Sequence, residues 1–545
     1  MKALRLFDLN GDIGQGALGE VPFASADALL DHMDYLGIER SLVTHVRGRE
    51  LNPTTGNRTL LRELAACDSA AGRLFPVFTI SPTMLYEKDA MDELRQHVSA
   101  RGVRALAAFP ETCRHPMAHL EPILAEVAGE HPLLLWDTRQ NPGGELDYRG
   151  LVELATQFPD ITFICLKKMW GGFGHVLDAM RRSPNVCVDI SWLHTRRTIE
   201  LLVKEFGAAR VLFGTGAKTH YGAAIAALVH ADVSEADRQR IAHGNLARLL
   251  QVETPAATVE GGRQDKPLWD ALRHGQPVEV DILDAHGHIG GTNMGFYQPS
   301  FEIAPTAQDT IRHMDRLGIG RIIVSSFDAL FGDALDGNRE LERELTPFGE
   351  RFSGYVAFNP RFSERLVPEF DRLFASGFFV GFKILAAYWK IRVDDPGYEP
   401  ALQYGHEHHL PILFHTWDDS WNAPNMLTEM ARSYSDAAFL LAHSGGGTAG
   451  RVEAIELANA CPNVYLDFCG SFTTEYPWPQ TFEQVGFDRV VFGSDGGGMH
   501  DQAWELGHLL SQPVPDEKLI PVLGENIKHI LKRRLMRPGG DRQYP

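Results

Sequence analysis

Cysteine is scarce in this sequence: Cys67, Cys113, Cys165, Cys187, Cys461 and Cys469 are the six in 545 residues. They form no CxxC pair, which excludes a disulfide framework and a thiolate zinc module. Long hydrophobic runs are missing too. No apolar stretch approaches the roughly 18 residues that a membrane span needs. The opening MKALRLFDLNGD turns acidic before a signal-peptide core can form. Positive charge is in deficit, with 52 Lys and Arg against 71 Asp and Glu, a formal net charge of −19. A field of that sign repels nucleic acid and anionic lipid, so neither is an expected partner. What is present, 44% hydrophobic and 23% charged residues, is a globular composition. The expectation is a soluble, cytoplasmic protein built from large domains.

The chain repeats itself. Residues 8–14 (DLNGDIG) match 284–290 (DAHGHIG), and 32–38 (HMDYLGI) match 313–319 (HMDRLGI). Gly56-Asn57-Arg58 matches Gly337-Asn338-Arg339, RVLFG at 210–214 matches RVVFG at 489–493, and Gly244-Asn245 answers Gly524-Glu525-Asn526. The offsets run only from 276 to 281, and five pairs in one order exceed chance. This reads as a tandem duplication: a first domain over 1–251, a linker at 252–266, a second domain over 267–534 and a tail at 535–545. The linker (VETPAATVEGGRQDK) has no apolar periodicity.

Within each half, short apolar runs alternate with segments of helical spacing. In the second they include VDILDAHGH, RIIVSSF, VGFKIL, LPILFHT, FLLAHSG, VYLDFCG and RVVFGSD. Near-continuous apolar runs of this length suit strands buried on both faces. About eight strand–helix units per half is the arithmetic of a closed barrel, with a doubly wound sheet as the alternative. The predicted fold class is α/β, two tandem (β/α)8 barrels of the TIM type.

Barrel chemistry sits at the C-terminal strand ends. In the second half those ends carry His286 and His288 on strand 1, Lys383 on strand 4, His415 on strand 5, His443 on strand 6 and Asp495 on strand 8. Two residues apart in a strand, His286 and His288 point the same way and make half a metal site. His415 and Asp495 can complete it. Any one of these residues alone reads as a hydrogen-bonded core group. Gathered at one barrel mouth, they point to a metal.

The combination DAHGHIG, GFKIL, LFHT, AHSGG and FGSDGG, closing on GEN and a helix, resembles the amidohydrolase superfamily. It is most similar to the amidohydrolase-2 branch of metal-dependent hydrolases and non-oxidative decarboxylases, over nearly all of residues 280–531. The resemblance implies a divalent metal, usually zinc, held by His286, His288, His415 and Asp495. It implies for His443 either second-metal ligation or polarisation of the substrate. The wider superfamily bridges two metals with a carboxylated lysine where Lys383 stands; unmodified, Lys383 would anchor a substrate anion. One zinc is the expected count.

On this resemblance the expected function is enzymatic. A zinc-activated water, its pKa lowered to about 7, would attack a C–N or C–O bond of a small amide, lactone or ester. Asp495 would carry the proton and His443 would hold the carbonyl oxygen. Non-oxidative decarboxylation of an aromatic or unsaturated acid is the alternative, because it uses the same ligands. Picolinate-forming decarboxylases of the branch hold a substrate carboxylate with an arginine in the loop after strand 2. Here that loop, SSFDALFGDALDGNRE, offers only Arg339, which reads as part of the next helix; this favours a hydrolase. A non-catalytic binding protein is the second alternative. Aromatic residues after the strand ends (Phe296, Tyr297, Tyr388, Trp389, Trp417, Trp421) are candidates for the pocket wall, with Tyr388, Trp389 and Trp417 the substrate candidates.

The first half differs where it matters. Asn10 stands for His286, Asp12 for His288, Ala107 for Lys383, Lys167 for His443 and Gly216 for Asp495. His415 meets Trp136 or Asp137, depending on a one-residue gap. No imidazole survives, so the expectation is a barrel that keeps its fold, has lost its metal and serves as a structural partner. Relatives of the branch commonly form homodimers, which implies an internal pseudo-dimer here, open to further self-association. Two motifs are set aside. Gly14-Gln15-Gly16-Ala17-Leu18-Gly19 fits a dinucleotide pattern but is better explained as a barrel's first loop. His406-Glu407-His408-His409 is not HExxH and enters strand 5 from the opposite end of the barrel.

Overall fold

The computed structural model describes residues 4–17, 23–100, 102–137, 147–167, 173–216, 220, 222–253, 261, 263–290, 306–470, 477–497 and 500–533. Phe296 and Tyr297, linker residues 254–260 and 262, and the tail lie outside these. The described residues separate into two compact units that divide between Gln264 and Asp265.

The first unit is a sheet of eight parallel strands in sequence order: β1 (Phe7–Ile13), β2 (Arg40–His45), β3 (Leu74–Ile80), β4 (Ala105–Ala108), β5 (Leu133–Asp137), β6 (Thr162–Leu166), β7 (Val186–Asp189) and β8 (Val211–Leu212). Helices cross between them. The second unit repeats the order with β9 (Ile282–Ile289), β10 (Ile319–Ser326), β11 (Phe352–Ala357), β12 (Phe379–Ile384), β13 (Pro411–His415), β14 (Ala438–Ala442), β15 (Val464–Asp467) and β16 (Val490–Val491). A short β17 (Gly496–Gly497) pairs with β9. Between β16 and β17, Ala285 N donates to Phe492 O at 2.8 Å and Ser494 N to His286 O at 3.3 Å, so the last strand region closes onto the first. These are two tandem TIM-type barrels.

Apolar side chains fill the barrel interiors. In the second, Leu283, Ala285, Ile323, Tyr355, Leu413 and Leu440 form one buried cluster with Ile527 and Ile530 of the last helix. The first packs its strands against Leu246 and Leu250 of its own last helix. No helix among the described residues is long and apolar enough to cross a membrane.

The repeated motifs are the joints of this scaffold. Gly37 (φ 80) and Gly318 (φ 84) end helices Ala26–Leu36 and Ala307–Leu317 in the left-handed region, where a side chain is strained. In the Gly-Asn-Arg repeat, a Cβ on Gly56 would lie 2.2 Å from Gly48 N, and one on Gly337 2.3 Å from Ala329 N. The neighbouring asparagine clips the next strand: Asn57 with Thr79 at 2.8 and 2.9 Å, Asn338 with Ala357 at 3.0 and 3.1 Å. Arg210 and Arg489 each cap three carbonyls. Asn245 and Asn526 tie each last helix to the carbonyls around β8 and β16.

Candidate metal centre

β9 carries His286 and His288 inward, both buried. Each imidazole is oriented from behind. His286 Nδ1 lies 2.6 Å from Asp467 Oδ2 at the end of β15, and His288 Nδ1 lies 2.9 Å from Ser325 Oγ on β10. With Nδ1 donating, each ring presents the Nε2 lone pair, the state a metal ligand needs. The two Nε2 atoms are 3.3 Å apart. Asp495 Oδ1 lies 2.9 Å from His288 Nε2 and 3.4 Å from His286 Nε2. That oxygen is buried and makes no hydrogen bond. An orphaned carboxylate oxygen beside two converging imidazole nitrogens, all within 4.8 Å, fits a divalent metal.

The charges agree. Burial pushes His286 and His415 well below the usual imidazole range, and Lys383 reinforces this. Burial also lowers His443 to about 4, so these rings are neutral near pH 7. Burial would raise Asp495, but His500, His286 and His288 outweigh it and keep the carboxylate well below its ordinary value. Asp495 has a left-handed backbone (φ 53), as Gly216 has in the first unit (φ 80).

Around this trio stand the other predicted residues. Lys383, on β12, is buried with Nζ 2.7 Å from His286 Nε2, and burial lowers it to about 8. A metal on that nitrogen would free the ammonium for another acceptor. His443 (φ 65) has its ring 5.3 Å from that of His286 and 4.8 Å from that of His415. Gly470 leaves room for it, since a Cβ there would meet His443 Nδ1 at 2.5 Å. His415, at the end of β13, belongs to neither compact group of three possible ligands; its ring lies 5.3 Å from Tyr388 and 6.3 Å from Trp417. Tyr388 also meets Phe331 at 5.7 Å, so aromatic rings line this side. Trp389 is buried and donates Nε1 to Leu330 O, tying loops together, while Trp421 takes the Lys390 ammonium over its ring. Arg339 sits in helix Ala334–Leu345, paired with Glu369 at 3.1 Å.

The sequence reading passed over Asp467, Cys469 and Ser325. Cys469 Sγ lies 3.0 Å from His286 Nδ1 and 3.6 Å from His443 Nδ1, making a second compact group with those imidazoles. The signal for Asp467 was its repeat. β7 and β15 both end in Asp, and Asn10 Nδ2 donates to Asp189 Oδ2 at 2.7 Å as His286 does to Asp467. Strand register also removes the alignment gap. Ala107 pairs with Leu135 as Lys383 pairs with Leu413, which places Asp137 opposite His415.

The family profile described as Amidohydrolase matches residues 20–252 and 284–533. No curated protein matches the chain. Solved structures similar to it include 2,6-dihydroxybenzoate decarboxylase from Rhizobium (14% identity, TM-score 0.39, 46% of this chain and 99% of that one). They also include 5-carboxyvanillate decarboxylase from Sphingomonas paucimobilis (13%, 0.37, 47% and 99%) and a putative amidohydrolase from Staphylococcus aureus (15%, 0.36, 46% and 99%).

Proposed function

The chain belongs to the amidohydrolase family, and from that membership we propose that its second unit is a metal-dependent enzyme acting on a small organic acid, with zinc as the metal. His286, His288 and Asp495 would hold the ion, with His415 the fourth ligand. When bound, the metal supplies Lewis acidity and a charge that orients the substrate. The remaining tasks fall to the chain. Asp467 and Ser325 fix the imidazoles, His443 holds a substrate oxygen, and Asp495 carries a proton.

Lys383 carries the choice of reaction. A buried ammonium that forms no salt bridge with a described carboxylate suits a substrate that brings its own. It supplies the cation that the loop after β10 lacks, since Arg339 is engaged elsewhere. This reverses the preference drawn from that loop. We read the reaction as non-oxidative decarboxylation: the C–CO2 bond breaks, and a proton reaches the carbon by way of Asp495. Hydrolysis of an amide, lactone or ester is the second reading, and Asp495 favours it, because a carboxylate held unprotonated is ready to accept a proton from water.

The test is metal analysis of the purified chain, then two substrate panels. Aromatic and unsaturated acids are followed by CO2 release, and amides, lactones and esters by their hydrolysis products. CO2 release that Lys383→Met abolishes with metal retained supports the first reading. Hydrolysis without CO2 release replaces it with the second. A chain that binds no metal and turns over neither panel defeats both.

A further inference from the structure

Asp495 turns its two carboxylate oxygens to different partners. Oδ1 faces the Nε2 atoms of His288 and His286 at 2.9 and 3.4 Å, where the ion is proposed. Oδ2 faces a further imidazole, that of His500, whose Nδ1 lies 3.5 Å away, an ion-pair distance. His500 is about as deep as the ligands themselves, 5% exposed against 2% for Asp495 and 4% for His288. The chemistry proposed above gives it no task.

The chain is shaped to bring that ring back to Asp495. Asp495 has a left-handed backbone, Gly496 bridges to His500, and His500 N donates to Asp495 O at 3.2 Å. Two glycines permit this return. A Cβ on Gly496 would run into Ser494 Oγ, and one on Gly497 (φ 86) would lie 2.6 Å from His288 O. Directly after His500 the chain is anchored. Asp501 accepts from Ala503 N at 2.8 Å and stands 3.3 Å from His313 Nε2, and Gln502 Nε2 donates to Asp284 Oδ2 at 2.9 Å. Held on both sides, the His500 ring is fixed beside the carboxylate.

The first half is an internal control. Read without a gap from RVLFG and RVVFG, Gly216 stands for Asp495, Ala217 and Lys218 for the two glycines, and Tyr221 for His500. The half that lacks the carboxylate also lacks the glycines and the imidazole, so the barrel does not require them. A carboxylate free to rotate offers a metal either oxygen or both, whereas a donor at one oxygen leaves the other for the ion. We infer that His500 is a positioning residue for the metal centre: with Nδ1–H toward Oδ2, it holds the Asp495 carboxylate so that Oδ1 alone faces the ion. This rests on the metal proposed for the second unit and on neither choice of reaction.

The test is the zinc affinity of the full-length chain, by competition with a chelator, together with the visible spectrum of the cobalt(II)-loaded protein. His500→Phe keeps a ring of similar shape without the nitrogen. Its zinc affinity falls about 10–100-fold, and its cobalt(II) absorption weakens as the second carboxylate oxygen raises the coordination number. His500→Asn returns an N–H near the place of Nδ1, and it restores the native spectrum and an affinity within about threefold of native. His500→Gln, whose NH2 falls near the place of Nε2 instead, behaves like His500→Phe and carries the comparison if that variant fails to fold. A merely structural role gives the opposite order, with Phe nearest to native. Native affinity and spectrum in His500→Phe, or in His500→Gln where it stands in, overturns the inference, as does a loss in His500→Asn as large as theirs; the metal centre itself survives either result. A native chain that binds neither zinc nor cobalt(II) overturns the metal centre, and this inference with it.

Discussion

Asp467 governs how His286 presents its free nitrogen, through a bond of 2.6 Å to Nδ1. Asp467→Asn can turn its amide NH2 toward Nδ1 and favour the wrong tautomer, so metal affinity should fall about 10–100-fold, as such outer partners typically cost. Competition with a chelator measures this. His286→Ala or His288→Ala should strip the metal and abolish turnover while circular dichroism stays unchanged, because the interior cluster does not include either ring. Full metal and turnover in either variant would overturn the ligand assignment. The pH dependence follows from His443, lowered from 6.5 to about 4 by burial. Between those values the unfolded ring binds a proton and the folded ring does not, so stability rises with pH across that window, by about 3 kcal/mol for this group. In metal-free protein the urea midpoint should climb from pH 4 to 6.5, and His443→Gln should flatten the slope. Asp467 was invisible at first reading because VYLDFCG reads simply as a buried strand. Its repeat in VCVDI becomes meaningful only once Asn10 and His286 are seen to spend a hydrogen bond on it.

At the scale of elements, the duplicated motifs proved easy to read because most of them build the barrel rather than the chemistry. The Gly-Asn-Arg repeat places one helix against another and clips the next strand, so both copies have the same geometry. Asn338→Ala removes two buried hydrogen bonds to Ala357 and leaves that residue's N–H and C=O unsatisfied. The expected cost is about 2–4 kcal/mol, read from a denaturant midpoint. Gly337→Ala should destabilise similarly, because its Cβ would fall 2.3 Å from backbone nitrogen that cannot yield. The strand ends were legible for the opposite reason. There the two halves diverge, His286 to Asn10 and Asp495 to Gly216, while Asp284 and Asp8 still bond Ser494 and Thr215 in the same way. The one gap that sequence left open, opposite His415, needed strand register, since Trp136 and Asp137 are adjacent and either could face inward.

At the scale of the whole molecule, two barrels share one chain, and where the second has His286, His288 and His443 the first has Asn10, Asp12 and Lys167. We propose that the first supports the second. A linker of this kind keeps two folded units at an effective concentration of roughly millimolar, so even a weak association would persist. Residues 265–545 produced alone, which keep the buried Lys266–Asp516 pair, would lose that support, and the expected outcome is poor solubility or strongly reduced turnover at equal metal content. Adding residues 1–251 in trans should restore part of it, in a concentration-dependent way, because the partner must now bind from solution. A second half that is monodisperse and fully active by itself would remove the supporting role altogether.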